Sequence, residues 1–95
     1  MSESRDKLSN EEVAERLRRL SGWAAIEGKL SKVFAFDDFM GAVDFVNRVA
    51  AVAESQGHHP DLQVSWGRVV VTLTTHSAGG LTSNDFELAA LIDQV

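Results

Sequence analysis

A predicted β-hairpin within Gly57 to Asp85 constrains the fold of this chain more than any other sequence feature. The stretch contains all three histidines and the single proline of the protein. An alternating run from Leu62 and a return run rich in Val and Thr flank a turn near Trp66, Gly67 and Arg68. The return run, Arg68 to Thr75, has apolar residues on both faces, which is typical of a central strand. The sequence therefore predicts an antiparallel hairpin, with its second strand inside a sheet.

The register of this hairpin brings the histidines together. A turn near Trp66 pairs residues whose numbers sum to about 134 or 135, as antiparallel pairing requires. His76 then lies opposite His58 or His59, if the pairing continues to the ends of both strands. Opposed side chains have Cβ atoms about 5 Å apart, so we expect three imidazoles at the open end of the hairpin. Imidazole exchanges protons near neutral pH, which suits general acid/base chemistry.

The rest of the chain predicts three helices and an earlier hairpin. Capping boxes mark two helix starts, Ser9 with Glu12 and Thr82 with Asp85. The predicted elements are a helix at about Asn10–Leu20, strands at Trp23–Glu27 and Leu30–Phe36, a helix from Asp37 or Asp38 to Gly57, strands from Leu62 and Arg68, and a helix at Ser83–Asp93. We therefore expect an α+β fold in which three helices pack on one face of a four-stranded antiparallel sheet, in the order helix-hairpin-helix-hairpin-helix.

The middle helix has the clearest helical period in the sequence. Its apolar positions are Phe39, Ala42, Val43, Val46, Val49, Ala50 and Ala53. Phe45 and Val52 fall outside this stripe, so the helix is expected to be buried on more than one side. The last helix also has more apolar surface than one stripe needs, which suggests a subunit contact.

Length and composition limit the domain organisation and the classes of function. Ninety-five residues make one small domain, predicted at residues 9–95 after a mobile segment at 1–8. A net charge of −5 argues against binding to a nucleic-acid backbone. The N-terminus is polar and no apolar run could span a bilayer, so no membrane contact and a cytoplasmic location are the default expectations. The absence of cysteine fits a reducing compartment.

Other uses of the histidines are less favoured by the sequence. Adjacent residues of an extended segment point to opposite sides, so His58 and His59 cannot easily bind one metal ion together. Asp61 is the carboxylate close to them in sequence, and no cysteine is present. No nucleophile elbow or Gly-rich phosphate loop is present either. Scattered surface or capping histidines remain the alternative to a functional site.

The order and spacing of these motifs resemble the pterin-4a-carbinolamine dehydratases. The resembling positions are His58-His59-Pro60, Val64, Thr75-His76, Gly80-Leu81-Thr82 and Asp85, together with Gly22-Trp23, Glu27-Gly28, the series Phe34, Phe36, Phe39, Ala42 and Phe45, Arg48-Val49-Ala50 and Glu54. The resemblance covers about residues 20–95. It implies a hydro-lyase that removes water from a 4a-hydroxytetrahydropterin to give the quinonoid dihydropterin, without a metal or an organic cofactor.

The resemblance also implies site residues. His58 and His76 would be the acid and base groups nearest the reacting carbon, in an order left open, and His59 would hold the pterin ring. The further positions implied for pterin binding, largely through the backbone, are Pro60, Thr75, Ser77 and Ala78, and Trp23 corresponds to a family tryptophan near the pocket.

Two carboxylates could support this site. Glu54 could orient His58 or be a solvated helix carboxylate, and Asp85 could act in the site or only cap its helix.

Two other functions stay open from the sequence. Animal members of the family also stabilise transcription-factor dimers, so the chain could be mainly a protein-binding module. It could also bind a pterin with little dehydratase turnover. The family forms dimers and tetramers, and an exposed apolar helix face would serve self-association or a different partner.

Overall fold

The computed structural model describes residues 6–95 and has the predicted α+β architecture. Its elements are α1 (Asn10–Leu17), β1 (Ala24–Ile26), β2 (Lys29–Ala35), α2 (Phe39–Gln56), β3 (Asp61–Ser65), β4 (Arg68–Leu73), a short 3₁₀ turn (His76–Ala78) and α3 (Ser83–Ile92). The predicted order of helices and hairpins is confirmed. The first five residues of the predicted mobile segment lie outside the described residues, and the backbone N–H of Leu8 donates to the carbonyl of Leu81 at 2.8 Å.

The four strands form one antiparallel sheet in the order β1-β2-β4-β3. β4 is central, as its Val-rich sequence predicts. Leu30 of β2 lies opposite Leu73 of β4, and both are fully buried. Val69 and Val71 are fully buried beside them. Side chains from α2 and α3 complete this core. The other face of the sheet is more polar.

Each helix begins at a side-chain cap that the sequence contains. Ser9 and Glu12 form the capping box of α1, and Thr82 and Asp85 form that of α3. Of the two candidate caps for α2, Asp38 accepts a hydrogen bond from the backbone N–H of Gly41 at 2.7 Å. Because these oxygens satisfy N–H groups that have no partner within the helix, they define where the helices begin.

The exposed side of α2 differs from the predicted apolar stripe. The fully or nearly fully buried residues of this helix are Ala42, Phe45, Val49 and Ala53. Phe39 is 48% exposed and Met40 is 64% exposed. The helix is therefore rotated so that Phe45 packs between Phe34 and Phe36 of the β2 region, with ring centroids 4.6 and 5.1 Å away. Aromatic packing thus outweighs the burial of Phe39.

The second hairpin corrects the predicted register. A two-residue turn at Trp66 and Gly67 pairs Ser65 with Arg68, and the ladder ends where Asp61 lies opposite Thr72. The predicted pairing of His76 with His58 or His59 across the strands is therefore wrong. The pairing stops there because Pro60, which precedes Asp61, has no N–H to donate. In addition, β4 ends at Leu73, three residues before His76.

The cap of α2 gives a direct test of this local structure. Replacing the N-cap, Asp38→Ala, should lower the free energy of unfolding by about 1 kcal/mol, because the Gly41 N–H loses its partner. The control, Asp37→Ala, removes a neighbouring carboxylate that is also exposed but is not the N-cap, and it should change the free energy of unfolding by less than about 0.5 kcal/mol. Urea denaturation followed by circular dichroism measures both. Equal losses for the two variants would contradict the assignment.

Candidate active site

The three imidazoles line one open cavity beside the end of β4. Its volume is about 370 Å³, within the range of small-molecule sites. The lining residues are Gly57, His58, His59, Thr74, Thr75, His76, Ser77 and Asn84. They come from the C-terminal end of α2, the segment after β4 and the first turn of α3. The predicted convergence of His58, His59 and His76 is thus present, although strand pairing does not produce it.

The end of α2 places His58 and His59. Gly57 adopts the left-handed conformation, with φ of 65°, that ends helices with least strain in glycine. The backbone N–H of His58 then donates to the carbonyl of Ala53 at 3.2 Å. This reversal turns both histidines out of the helix direction and towards the end of β4.

A short turn after β4 places His76 and Ser77. The carbonyl of Thr75 accepts hydrogen bonds from the N–H groups of Ala78 and Gly79, at 3.0 and 3.1 Å. The N–H of Thr75 donates to the carbonyl of Gly80 at 3.1 Å. The turn is therefore closed at its base by Thr75, while the side chains of His76 and Ser77 are exposed at its tip.

A buried carboxylate holds His58. Nε2 of His58 lies 2.5 Å from Oδ1 of Asp85, and Asp85 is fully buried. Oδ2 of the same carboxylate accepts hydrogen bonds from the hydroxyl of Thr75 at 2.8 Å and from the N–H of Thr82 at 2.9 Å. When Asp85 is ionised it can only accept, so Nε2 of His58 then carries the proton and Nδ1 is the ring nitrogen available for proton transfer.

A second, exposed carboxylate holds His59. Nε2 of His59 lies 2.7 Å from Oε2 of Glu54, in the last turn of α2. The side chains of this pair are 62% and 77% exposed. The interpretation of Glu54 as the partner of His58 is therefore corrected: Glu54 contacts His59, because His58 turns inward to the buried Asp85.

The residues predicted from resemblance to contact a pterin divide into two groups. Thr75 and Ser77 line the cavity, whereas Pro60, Ala78 and Trp23 are not among its lining residues. Trp23 is nearly fully buried, and its indole N–H donates to Asp93 at 3.0 Å. The structure thus places Trp23 in the core, away from the cavity lining.

Three lining residues, Gly57, Thr74 and Asn84, were absent from the predicted set. The hydroxyl of Thr74 donates to the carbonyl of Gly28 at 2.7 Å, which joins the first hairpin to this edge of the site. Asn84 lies in the first turn of α3, two residues after Thr82. Its position inside the capping box Thr82-x-x-Asp85 is the sequence signal that could have identified it, because that turn must lie beside the buried carboxylate.

The arrangement of side chains in the cavity can support proton transfer. Within residues 6–95, no group of three His, Asp or Glu side chains has an arrangement that could hold a metal ion. The cavity brings together three imidazoles, two of them hydrogen-bonded to carboxylates, so both proton donors and proton acceptors are within reach of one bound molecule.

Among residues 6–95, no helix is long and apolar enough to cross a membrane.

Comparisons with known proteins agree with this geometry. The family model described as Pterin 4 alpha carbinolamine dehydratase matches residues 6–95. A protein of Nostoc sp. with the provisional name pterin-4-alpha-carbinolamine dehydratase is 49% identical over 88 residues, which cover 93% of this chain and 95% of that protein.

The fold is also found in solved structures. The crystal structure of a transcriptional coactivator/pterin dehydratase from Brucella melitensis has a TM-score of 0.89 at 35% identity, over 94% of this chain and 97% of that one. A pterin dehydratase-like protein identified as a RuBisCO assembly factor in the alpha-carboxysome has a TM-score of 0.63 at 25% identity, over 76% and 83%. By its sequence match and its fold, the chain belongs to the pterin-4-alpha-carbinolamine dehydratase family.

Proposed function

We propose that the protein is a hydro-lyase that converts a 4a-hydroxytetrahydropterin, such as 4a-hydroxytetrahydrobiopterin, into the quinonoid dihydropterin and water. The observation that carries the proposal is the cavity lined by His58, His59 and His76. Family membership supports the same reaction class. The substrate and the roles of the histidines below are parts of the proposal.

The reaction needs one proton donated and one proton removed. The bond between C4a and its hydroxyl oxygen breaks, and that oxygen takes a proton and leaves as water. N5 loses its proton, and the electron pair of the N5–H bond forms the double bond between N5 and C4a. No electron acceptor is required, because only water is lost. Imidazolium and neutral imidazole can supply both proton transfers.

His58 is the proposed base. Its Nε2–H is directed to the buried Asp85 carboxylate, so Nδ1 is free to take the proton from N5. The positive charge that then forms on the ring lies beside the negative charge of Asp85. A carboxylate that orients an imidazole and stabilises its charged form is a recurring device in enzymes.

His76 is the proposed acid, and His59 the residue that holds the pterin. His76 is exposed at the tip of the turn after β4, where its imidazolium can reload a proton from solvent after each turnover. Glu54 contacts the ring of His59 from one side, which leaves its other edge and its flat face for the substrate. Thr75 and Ser77 provide further contact surface at the cavity wall.

The first test isolates His76, because its exposed side chain can be removed with little effect on the fold. The intact protein should accelerate the dehydration of a freshly generated 4a-hydroxytetrahydropterin, measured by rapid-mixing absorbance. His76→Ala should reduce that rate by about 10² to 10⁴, the usual contribution of a positioned acid or base. Gln63→Ala, on the exposed face of β3, is the control and should keep full activity. An intact, folded protein that only matches buffer would disprove the dehydratase function.

The second test compares the two carboxylates. Asp85→Asn removes a buried charge from His58, and dehydration should fall by about 10² or more, as when an orienting carboxylate is neutralised. Glu54→Gln changes an exposed pair, whose coupling is weak, and the rate should fall by less than about fivefold. Steady-state rates of the two variants, together with their melting temperatures, make the comparison. Similar losses in both would contradict the assignment of His58 as the base.

A second candidate function is association through the exposed start of α2. Phe39 is 48% exposed and Met40 is 64% exposed on adjacent positions of this helix, and adjacent large apolar side chains at a surface favour a protein contact. We propose a homodimer or homotetramer as the use of this surface. A different protein partner, as in a dimerisation module, is the alternative.

Met40→Glu tests this association without weakening α2. An acidic residue in the first turn interacts favourably with the helix dipole, so a loss of association would not reflect a loss of the helix. The intact protein should have a mass by light scattering of two or four times 10.4 kDa, and Met40→Glu should lower it. The control, Ile26→Thr, changes an equally exposed residue of β1 and should leave it unchanged. A monomeric intact protein would contradict self-association.

A further inference from the structure

We propose that Thr75 is a positioning residue, whose hydroxyl works with that of Thr82 to hold the Asp85 carboxylate and, through it, the imidazole of His58. The consequence for turnover rests on the proposed function, in which His58 is the base. The hydrogen-bonded geometry does not depend on it. Sequence resemblance suggested only a pterin contact for Thr75, and Thr82 was expected only to cap α3.

The direction of each hydrogen bond follows from the acceptor at its end. Asp85 accepts, so the hydroxyl of Thr75 donates to Oδ2 at 2.8 Å. The oxygen of Thr75 lies 3.0 Å from that of Thr82. Because the proton of Thr75 is already committed to Asp85, Thr82 donates to Thr75. The chain of donors therefore runs from Thr82 through Thr75 to Asp85, and His58 donates to the same carboxylate from the opposite side.

Burial makes this chain rigid. Thr82 and Asp85 are fully buried and Thr75 is 8% exposed, so water cannot easily replace a lost hydroxyl. A buried carboxylate that loses a donor either rotates to find another partner or remains partly unsatisfied, and both are costly. Since Oδ1 and Oδ2 belong to one rigid group, a rotation that follows the loss of Thr75 at Oδ2 also moves Oδ1 away from His58.

Thr75 also connects the two ends of the proposed reaction. Its backbone closes the turn that presents His76, through bonds to Ala78, Gly79 and Gly80. Its hydroxyl holds the carboxylate that orients His58. One residue thus fixes the separation of the proposed base and the proposed acid.

The titratable side chains near His58 are the other groups that could change its hydrogen bond. Asp85 faces the ring from α3, and His59 and His76 share the cavity with it. Glu54 of α2 contacts His59. A substitution at Thr75 alters none of these four titratable residues, so a change in the His58 hydrogen bond can be attributed to the missing hydroxyl.

The experiment is ¹H–¹⁵N NMR of protein with labelled histidine, together with the dehydration rate. Thr75→Val keeps the shape and the branched Cβ but removes the donor. The Nε2–H proton of His58 should move upfield and exchange faster with water, and turnover should fall about tenfold, the equivalent of one such hydrogen bond. Thr75→Ser keeps the hydroxyl and should restore both the resonance and the rate.

The control variant is Thr72→Val, the same substitution on the outward face of β4, opposite Asp61. It should leave the His58 resonance unchanged. If Thr75→Val is folded and its His58 resonance is also unchanged, the proposal is overturned, even if the melting temperature falls, because Thr75 then has only a structural role. A shifted resonance in a protein whose intact form has no dehydratase activity would support the positioning role and reject the proposed function.

A measurement on the unaltered protein covers the case in which Thr75→Val does not fold. A threonine hydroxyl that donates to a buried carboxylate exchanges slowly with water. It should give its own proton resonance, with a nuclear Overhauser contact to the methyl group of Thr82. A fully exchange-averaged hydroxyl at Thr75 would overturn the proposal.

Discussion

The carboxylate of Asp85 is the group on which both the local fold and the candidate site depend. It is fully buried and accepts hydrogen bonds from His58, Thr75 and the backbone N–H of Thr82. A buried charge without partners costs several kcal/mol, so the end of α2, the end of β4 and the start of α3 must come together for this residue to be satisfied. Among residues 6–95, no buried side-chain oxygen or nitrogen lacks a hydrogen-bond partner. Satisfying the hydrogen bonds of this one buried carboxylate therefore also brings the residues of the candidate site together.

The two histidine–carboxylate pairs differ in what their surroundings allow. The pair of His58 and Asp85 is shielded from water. In such surroundings a hydrogen bond to a charged group is strong and its direction is well defined. The pair of His59 and Glu54 is exposed, where water competes and the ring can reorient at little cost. A base must keep one nitrogen aimed at one atom, whereas a residue that holds a flat ring can tolerate adjustment. The contrast in burial is consistent with the proposed roles, in which His58 is a fixed base and His59 is an adaptable contact for the substrate.

The sequence was informative where local chemistry decides structure. The capping boxes at Ser9 and Thr82 are short-range signals, as is Gly28, which takes a φ of 77° in the tight turn between β1 and β2. The helices and the first hairpin follow these signals. The rotation of α2 could not be predicted, because it depends on Phe45 meeting rings from a distant strand. The partners of Glu54 and Asp85 were uncertain for the same reason. Periodicity places a carboxylate on a helix, but which imidazole it contacts depends on how the chain turns after Gly57.

The candidate site and the proposed association surface are separated along α2. His58 follows the C-terminal end of this 18-residue helix, and Met40 lies in its first turn. At 1.5 Å per residue the two ends are about 27 Å apart. Chemistry at one end and association at the other can therefore vary independently among proteins with this fold, since neither shares side chains with the other. What they do share is the body of the helix, where Ala42, Val49 and Ala53 pack into the core. A substitution there would disturb both ends together, whereas one at either end should affect only its own function.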